Sequence, residues 1–140
     1  MTSRVLMDSA IPLYASGSES PFKAPARWFL DACQSGDYDV YGSVELIQEF
    51  VFHRLRMTHD RTRAIDEGQH LRELVTILPF DDQVLDLALM LVRSSHIGGR
   101  DAVHAATACV NGIGVMVSPD RAFDGIPGLQ RLDAADLMTS

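Results

Sequence analysis

RVLMD, residues 4–8, is a short apolar run that ends at a single acid. Such a run is typical of a central strand in a parallel sheet, because that strand is buried on both faces and its sequence is almost continuously hydrophobic. Residues 113–120, IGVMVSPD, repeat the pattern near the other end of the chain, again with an acid at the close. The two stretches predict two buried strands of one sheet.

Between these strands the sequence alternates between helical and strand patterns. Ser, Gly and Pro residues predict a loop at 16–25. Gly36 is a helix stop, and Ser43 is a natural N-cap with Glu45 in the first turn that follows. The predicted order is helix 25–35, strand 39–42, a helix from Ser43, helix 58–74, strand 75–80, helix 81–95, helix 100–111, strand 113–120, and a short strand with a terminal helical turn within 128–137. This alternation predicts an α/β domain with a mainly parallel central sheet flanked by helices.

Helix 81–95 shows the clearest amphipathic pattern in the chain. Asp81 or Asp82 can cap its start. Its predicted apolar stripe consists of Val84, Leu85, Ala88, Leu89 and Val92.

Composition limits the class of protein. The 140 residues are expected to form one domain, 1–140, and 46% hydrophobic with 22% charged residues is ordinary globular composition. Two cysteines without CxxC spacing indicate neither a disulfide framework nor a zinc ribbon, and no apolar run approaches the ~20 residues of a membrane span. We therefore expect a cytoplasmic protein without a membrane anchor.

Net charge and basic residues narrow the function. A net charge of −7 argues against a protein that coats nucleic acid, but it allows an enzyme with a local basic patch. Lys23 is the only lysine, whereas receiver domains and haloacid-type phosphatases, which also place an Asp after the first strand, need a lysine at a later strand end. The sequence contains neither the Gly-Lys pair of a P-loop nor a GxGxxG motif after a strand.

Acidic residues occur where an open α/β sheet places its functional groups. Asp8 ends the first strand and Asp120 follows the strand in 113–120, so both belong at the carboxyl edge of the sheet. Asp101 opens a helix after a Gly-Gly break, and Glu49 lies among apolar neighbours, where an unpaired carboxylate is costly to bury.

Each acid alone has a simpler explanation, such as a helix cap, a turn or a solvated side chain. Together, on one edge, the four carboxylates would repel one another, and a divalent cation such as Mg²⁺ or Mn²⁺ would relieve that repulsion. A bound cation would also lower the pKa of a water and stabilise charge on a phosphoryl group. Taken together, the four acids therefore favour a metal site.

Four motifs in this order resemble the PIN-domain family, and the resemblance covers essentially the whole chain. They are VLMDSA at the first strand, SVELIQEF in the helix after Ser43, RDAVHAATA at the later helix, and SPDRAFDGIPGL near the end. The chain is most similar to the VapC-like toxins. The resemblance implies a three-layer PIN-like fold and a Mg²⁺-dependent endoribonuclease, with Mn²⁺ able to substitute. It also implies a homodimer, an RNA substrate and a cognate antitoxin protein.

The resemblance also assigns residues. Asp8, Glu49, Asp101 and Asp120 take the four acidic, metal-holding places, with Ser118 and Asp124 as accessory residues. Glu45 competes with Glu49 for its place; Glu49 is preferred because it directly precedes an apolar run, as the glutamate of the family commonly does. Ser9 and Ala10 depart from the family pattern, which commonly has Thr or Ser followed by Asn.

Basic residues suggest how RNA could be held. Arg54 and Arg56 belong to a dense basic segment that is either an RNA-backbone track or a solvated helical hairpin. Arg100 is better placed to contact a phosphate, beside Asp101. His104 lies one turn beyond Asp101 and could assist the site, although a packed histidine is the commoner outcome. The alternative function is a catalytically inactive PIN-like protein or an RNA-binding module.

Overall fold

A five-stranded parallel sheet forms the centre of the computed structural model, which describes residues 2–140. The strand order is β3-β2-β1-β4-β5, and every neighbouring pair is parallel. The mainly parallel α/β architecture predicted from the sequence is confirmed. The strands are β1 (Ser3–Met7), β2 (Tyr38–Ser43), β3 (Thr76–Leu78), β4 (Val115–Val117) and β5 (Gln130–Leu132).

Helices cover both faces of the sheet, which gives three layers. They are α1 (Ala10–Ser16), α2 (Lys23–Gln34), α3 (Val44–Thr58), α4 (Arg61–Leu74), α5 (Asp82–Ser94), α6 (Gly99–Val110) and α7 (Ala134–Thr139), with a 3₁₀ turn at Arg121–Phe123. Among the described residues, no helix combines the length and the apolar character needed to cross a bilayer.

Alternation along the strands divides the core in two. Leu6 and Met116 face α5 and α6, whereas Val5, Met7 and Val117 point to the opposite face. That second face is covered mainly by α1, α2 and α3. Because successive side chains of a strand point to opposite faces, the apolar run of β1 supplies both cores. Burial of these side chains on both faces holds β1 in the sheet as far as Met7, so Asp8 is the first residue beyond the strand.

Two parts of the sequence prediction need correction. Residues 10–16 form α1, which the sequence analysis did not identify, so the predicted loop at 16–25 shortens to the segment between α1 and α2. Pro12 is compatible with α1 because the first helical turn has no intrahelical acceptor for its missing N–H.

The apolar stripe of α5 is narrower than predicted. Val84, Ala88 and Leu91 are buried against the core, but Leu85, Leu89 and Val92 are exposed. These three buried residues lie at positions i, i+4 and i+7, which share one face of a helix. Asp81, not Asp82, is the N-cap, and its carboxylate accepts from the Val84 amide.

Candidate metal centre at the carboxyl edge of the sheet

Three carboxylates from separate parts of the chain line one pocket of about 430 Å³. Asp8 follows β1, Asp120 lies three residues beyond β4, and Asp101 is in the first turn of α6. The first two come together because β1 and β4 pair in register, with Met7 opposite Val117. The carboxyl edge of the sheet therefore brings together acids that are far apart in sequence.

Asp8 is the most buried of the three carboxylates and lines this pocket. It is 3% exposed, and Ser118 Oγ donates to its Oδ2 at 2.7 Å. The same Ser118 Oγ accepts from the Asp120 amide at 3.0 Å. Burial raises the pKa of Asp8 despite the opposing effects of His104 and of the Ser118 hydrogen bond. Ser118, which the family resemblance assigned as an accessory residue, thus lies beside the Asp8 carboxylate.

Asp101 is not used as a helix cap. The N-cap of α6 is Gly98, and no side chain caps this helix. Burial, followed by the neighbouring carboxylates of Asp8 and Asp120, raises the pKa of Asp101 to about 6. A carboxyl group in this position is destabilised when it ionises, which is the electrostatic condition that a bound cation relieves.

Asp120 uses one carboxylate oxygen in a structural hydrogen bond, and its other oxygen is available to a ligand. Its Oδ1 accepts from the Ala122 amide at 2.9 Å and caps the 3₁₀ turn. Its side chain nonetheless lines the pocket, so capping and metal binding are compatible at this residue.

Glu49 adjoins the pocket without lining it. It is buried in α3, with Oε1 at 2.7 Å from His104 Nε2 and Oε2 at 3.5 Å from Ser9 Oγ. Its charge raises the pKa values of Asp8 and Asp101. The structure therefore places Glu49, and not Glu45, beside the other three acids.

The donor set fits a hydrated divalent cation. All the candidate ligands are carboxylates, the oxygen donors that Mg²⁺ prefers. Within residues 2–140, no group of three or more Asp, Glu, His or Cys side chains is arranged so that it could hold a metal ion. Mg²⁺ in proteins usually keeps several waters and is held through one or two carboxylates.

The remaining predicted residues lie in different environments. Asp124 does not line the pocket; it forms a 2.7 Å ion pair with Arg131, which lowers its pKa. Arg100 is 58% exposed, with Nη1 at 3.9 Å from Glu49 Oε2, and Arg56 is exposed above the Phe52 ring.

The environment of Arg54 contradicts the prediction that this residue contacts RNA. Its side chain is 4% exposed and donates to both oxygens of Glu67, at 2.7 and 3.2 Å. A third bond goes to the Ser16 carbonyl at 3.1 Å. A guanidinium whose donors are used internally and shielded from solvent has no surface to offer a phosphate.

Sequence reasoning missed the polar network behind the acids. His104 is completely buried, and its Nδ1 lies 2.8 Å from Ser43 Oγ. Ser43 is the N-cap of α3 as predicted, but its hydroxyl makes no capping bond. The spacing of His104 from Asp101 was a usable signal, whereas its pairing with Ser43 was not visible because the two residues lie 61 positions apart.

Known proteins are similar to this chain over most of its length. The PIN domain family model matches residues 5–129. The chain is 31% identical over 131 residues to Ribonuclease VapC13 of Mycobacterium tuberculosis and to a VapC ribonuclease of Mycobacterium bovis. In each case the match covers 91% of this chain and 98% of the relative.

Solved structures share the fold. VapBC-1 from nontypeable Haemophilus influenzae and FitAcB from Neisseria gonorrhoeae each superpose with a TM-score of 0.70 at 17% identity. Both superpositions cover 94% of this chain and 98% of the other.

Proposed function

The chain belongs to the PIN-domain family, and from that membership we propose that it is a divalent-metal-dependent endoribonuclease, the toxin of a toxin–antitoxin pair. Relatives named VapC ribonucleases support the RNA-cleaving activity. The observation that carries the proposal is the pocket lined by Asp8, Asp101 and Asp120, three carboxylates that no structural role requires together.

The four acids are the residues that would hold the proposed cation. Asp8 and Asp101 would hold it most directly, with Asp120 and Glu49 completing the ligand set through an oxygen or a water. We propose Mg²⁺ as the natural ion, with Mn²⁺ as a substitute. When bound, the cation supplies an activated water and stabilises charge on the scissile phosphate.

The other residues of the site orient these groups. Ser118 keeps the Asp8 carboxylate in one orientation through its 2.7 Å hydrogen bond. Arg100 extends from the first turn of α6 beside the pocket, where a guanidinium can hold an RNA phosphate. Hydrolysis breaks one phosphorus–oxygen bond of the RNA, and the attacking water supplies the hydroxyl and the proton that the two products need.

Partners and location follow from the same family membership. A cognate antitoxin protein is the expected partner, because structural neighbours include VapBC complexes and a toxin–antitoxin complex from Klebsiella pneumoniae. A homodimer, a cytoplasmic location and a single nuclease domain over residues 1–140 remain our predictions.

The alternative function is a PIN-like RNA-binding module without catalysis. The presence of all four acids disfavours it, because a binding module would not need to keep several carboxylates close together at an electrostatic cost. Metal-dependent turnover distinguishes the two functions, since both would bind RNA.

The experiment is cleavage of total cellular RNA by antitoxin-free protein, with Mg²⁺ or Mn²⁺ and again with EDTA. Wild-type protein should cut only with metal, and Asp101→Asn should lose roughly 100-fold or more of the rate, because the ligand that is lost contributes several kcal/mol to charge stabilisation. Asp86→Asn is the matched control, since Asp86 is an exposed aspartate on α5 outside the pocket. Equal cleavage by Asp101→Asn and wild type would contradict the proposed active site.

A further inference from the structure

A buried chain of polar groups connects the sheet to Glu49. Ser43 Oγ lies 2.8 Å from His104 Nδ1, and His104 Nε2 lies 2.7 Å from Glu49 Oε1. Ser43 and His104 are both 0% exposed. The chain joins three elements, because Ser43 ends β2, Glu49 is in α3 and His104 is in α6.

The chemistry of the partners determines the direction of the central hydrogen bond. An ionised carboxylate can only accept, so with Glu49 ionised the proton that the two residues share lies on Nε2 of His104. The Ser43 hydroxyl can donate to an unprotonated Nδ1 or accept from a protonated one. The Nε2–H to Glu49 bond is therefore present in either charge state of the ring.

This bond also fixes the direction of the other carboxylate oxygen. With Oε1 occupied by His104, Oε2 points toward Ser9 Oγ at 3.5 Å and Arg100 Nη1 at 3.9 Å. Ser9 lines the pocket beside Asp8, and the Arg100 side chain is 58% exposed. One oxygen of Glu49 is anchored inside the protein, and the other is presented on the pocket side.

A purely structural role would not need this arrangement. Burial of a glutamate and a histidine costs free energy that apolar side chains of the same size would avoid. No buried side-chain nitrogen or oxygen within residues 2–140 lacks a hydrogen-bond partner, so the network is fully satisfied. Fully satisfied polar networks specify one geometry, and here that geometry concerns a candidate metal ligand.

We propose that His104 and Ser43 are positioning residues that orient Glu49 so that its Oε2 faces the divalent cation. The inference rests on the proposed function, because it assigns the two residues to the same metal site. They touch neither substrate nor cation and act only through Glu49. Groups of this kind, which hydrogen-bond to a ligand, commonly change metal affinity by about 10- to 100-fold when they are removed.

The test measures Mn²⁺ affinity of the purified full chain by calorimetry or by electron paramagnetic resonance. His104→Met should weaken Mn²⁺ binding by about 10- to 100-fold, and His104→Gln, which can still donate to Glu49, should recover much of that loss. Ser43→Ala, which removes one hydroxyl, should weaken binding by roughly 3- to 10-fold. Ser43→Ala keeps the test valid if His104→Met does not fold.

A double-mutant cycle separates positioning from general destabilisation. In a Glu49→Gln background, His104→Met should have no further effect on Mn²⁺ affinity, because the group through which it acts is already altered. Thr107→Val is the matched control: Thr107 is equally buried on α6, and its hydroxyl bonds only the Val103 carbonyl. This variant should bind Mn²⁺ as wild type does.

Two results would overturn the inference while leaving the proposed function intact. One is wild-type Mn²⁺ affinity in both His104→Met and Ser43→Ala. The other is an equal loss of Mn²⁺ affinity on His104→Met in the wild-type and in the Glu49→Gln backgrounds. A wild-type protein with no measurable Mn²⁺ affinity would instead overturn the proposed function, and this inference with it.

Discussion

At the scale of single residues, Asp101 shows the effect of electrostatic repulsion within the site. Its pKa of about 6 lies above the ordinary value of 3.8 because the side chain is partly buried and faces Asp8 and Asp120. The folded state therefore holds the Asp101 proton more tightly than the unfolded state does. Stability from this group is fully present below about pH 4 and is lost as the pH rises through about 6.

Asp101→Asn should therefore stabilise the metal-free protein in a pH-dependent way. With EDTA present, we expect the variant and wild type to be similar near pH 4, and the variant to be more stable by roughly 1 kcal/mol at pH 8, after allowance for solvent screening. Urea unfolding at the two pH values measures the difference, with Asp86→Asn as the exposed control. A stability difference between variant and wild type that does not change with pH would contradict repulsion between Asp101 and the neighbouring carboxylates.

Arg54 provides a second prediction at this scale. Its ion pair lowers the pKa of Glu67, and the guanidinium also bonds the Ser16 carbonyl. Arg54→Met should cost about 2 kcal/mol in urea unfolding, because the hydrogen bonds of the buried guanidinium are lost and Glu67 keeps only its exposed partner Arg63. Arg56→Met, at an exposed position on the same helix, should change stability by less than about 0.5 kcal/mol. Equal effects of the two variants would show that Arg54 does not hold the helices together.

Sequence reasoning succeeded for residues whose role depends on position along the chain. Asp8 and Asp120 were identifiable because each follows a buried strand, and the carboxyl ends of parallel strands share an edge. It failed where the role depends on a distant partner. The sequence around Arg54 was compatible with an RNA contact, but in the structure its guanidinium bonds Glu67 and Ser16. Ser43 was predicted to cap a helix, but its hydroxyl lies beside His104 instead.

At the scale of elements, helix and strand types were predictable from periodicity, but helix faces were less so. The sequence of α5 is apolar around much of its circumference, so it could not reveal that Leu85, Leu89 and Val92 remain exposed. The missed helix α1 begins directly after Asp8 and Ser9 and buries only one short face. The Ser-rich sequence that follows it made the whole region look like a loop. Short elements of this kind are set by the core that they cover, and not by local propensity.

The packing of α3 against α4 gives the prediction at this scale. A Cβ added at Gly68 of α4 would overlap Val51 Cγ2 of α3, and a β-branched side chain has little freedom to move away. Gly68→Ala should therefore lower stability by about 1 kcal/mol, although alanine is the better helix former. In a Val51→Ala background the same change should cost nothing or stabilise, as measured by chemical denaturation. The same loss in both backgrounds would exclude the clash as its cause.

At the scale of the whole molecule, a net charge of −7 complicates every test with divalent cations. Salt screens the mutual repulsion of an acidic protein and can raise its stability without any specific site. A bound cation acts differently, because it stabilises the folded state by mass action and its effect depends on the ligands that hold it.

The two effects can be separated in one set of thermal melts. At Mn²⁺ concentrations about 100-fold above Kd, specific binding contributes about 2.7 kcal/mol, which for a domain of this size raises Tm by roughly 10 °C. KCl of equal ionic strength should give a much smaller rise, because it acts only by screening. Asp8→Asn and Asp101→Asn should lose the Mn²⁺ increment and keep the KCl one, whereas Asp86→Asn should keep both. If KCl and Mn²⁺ raised Tm equally in wild-type protein, the pocket would hold no specific cation, and the carboxylates would affect stability only through the overall charge.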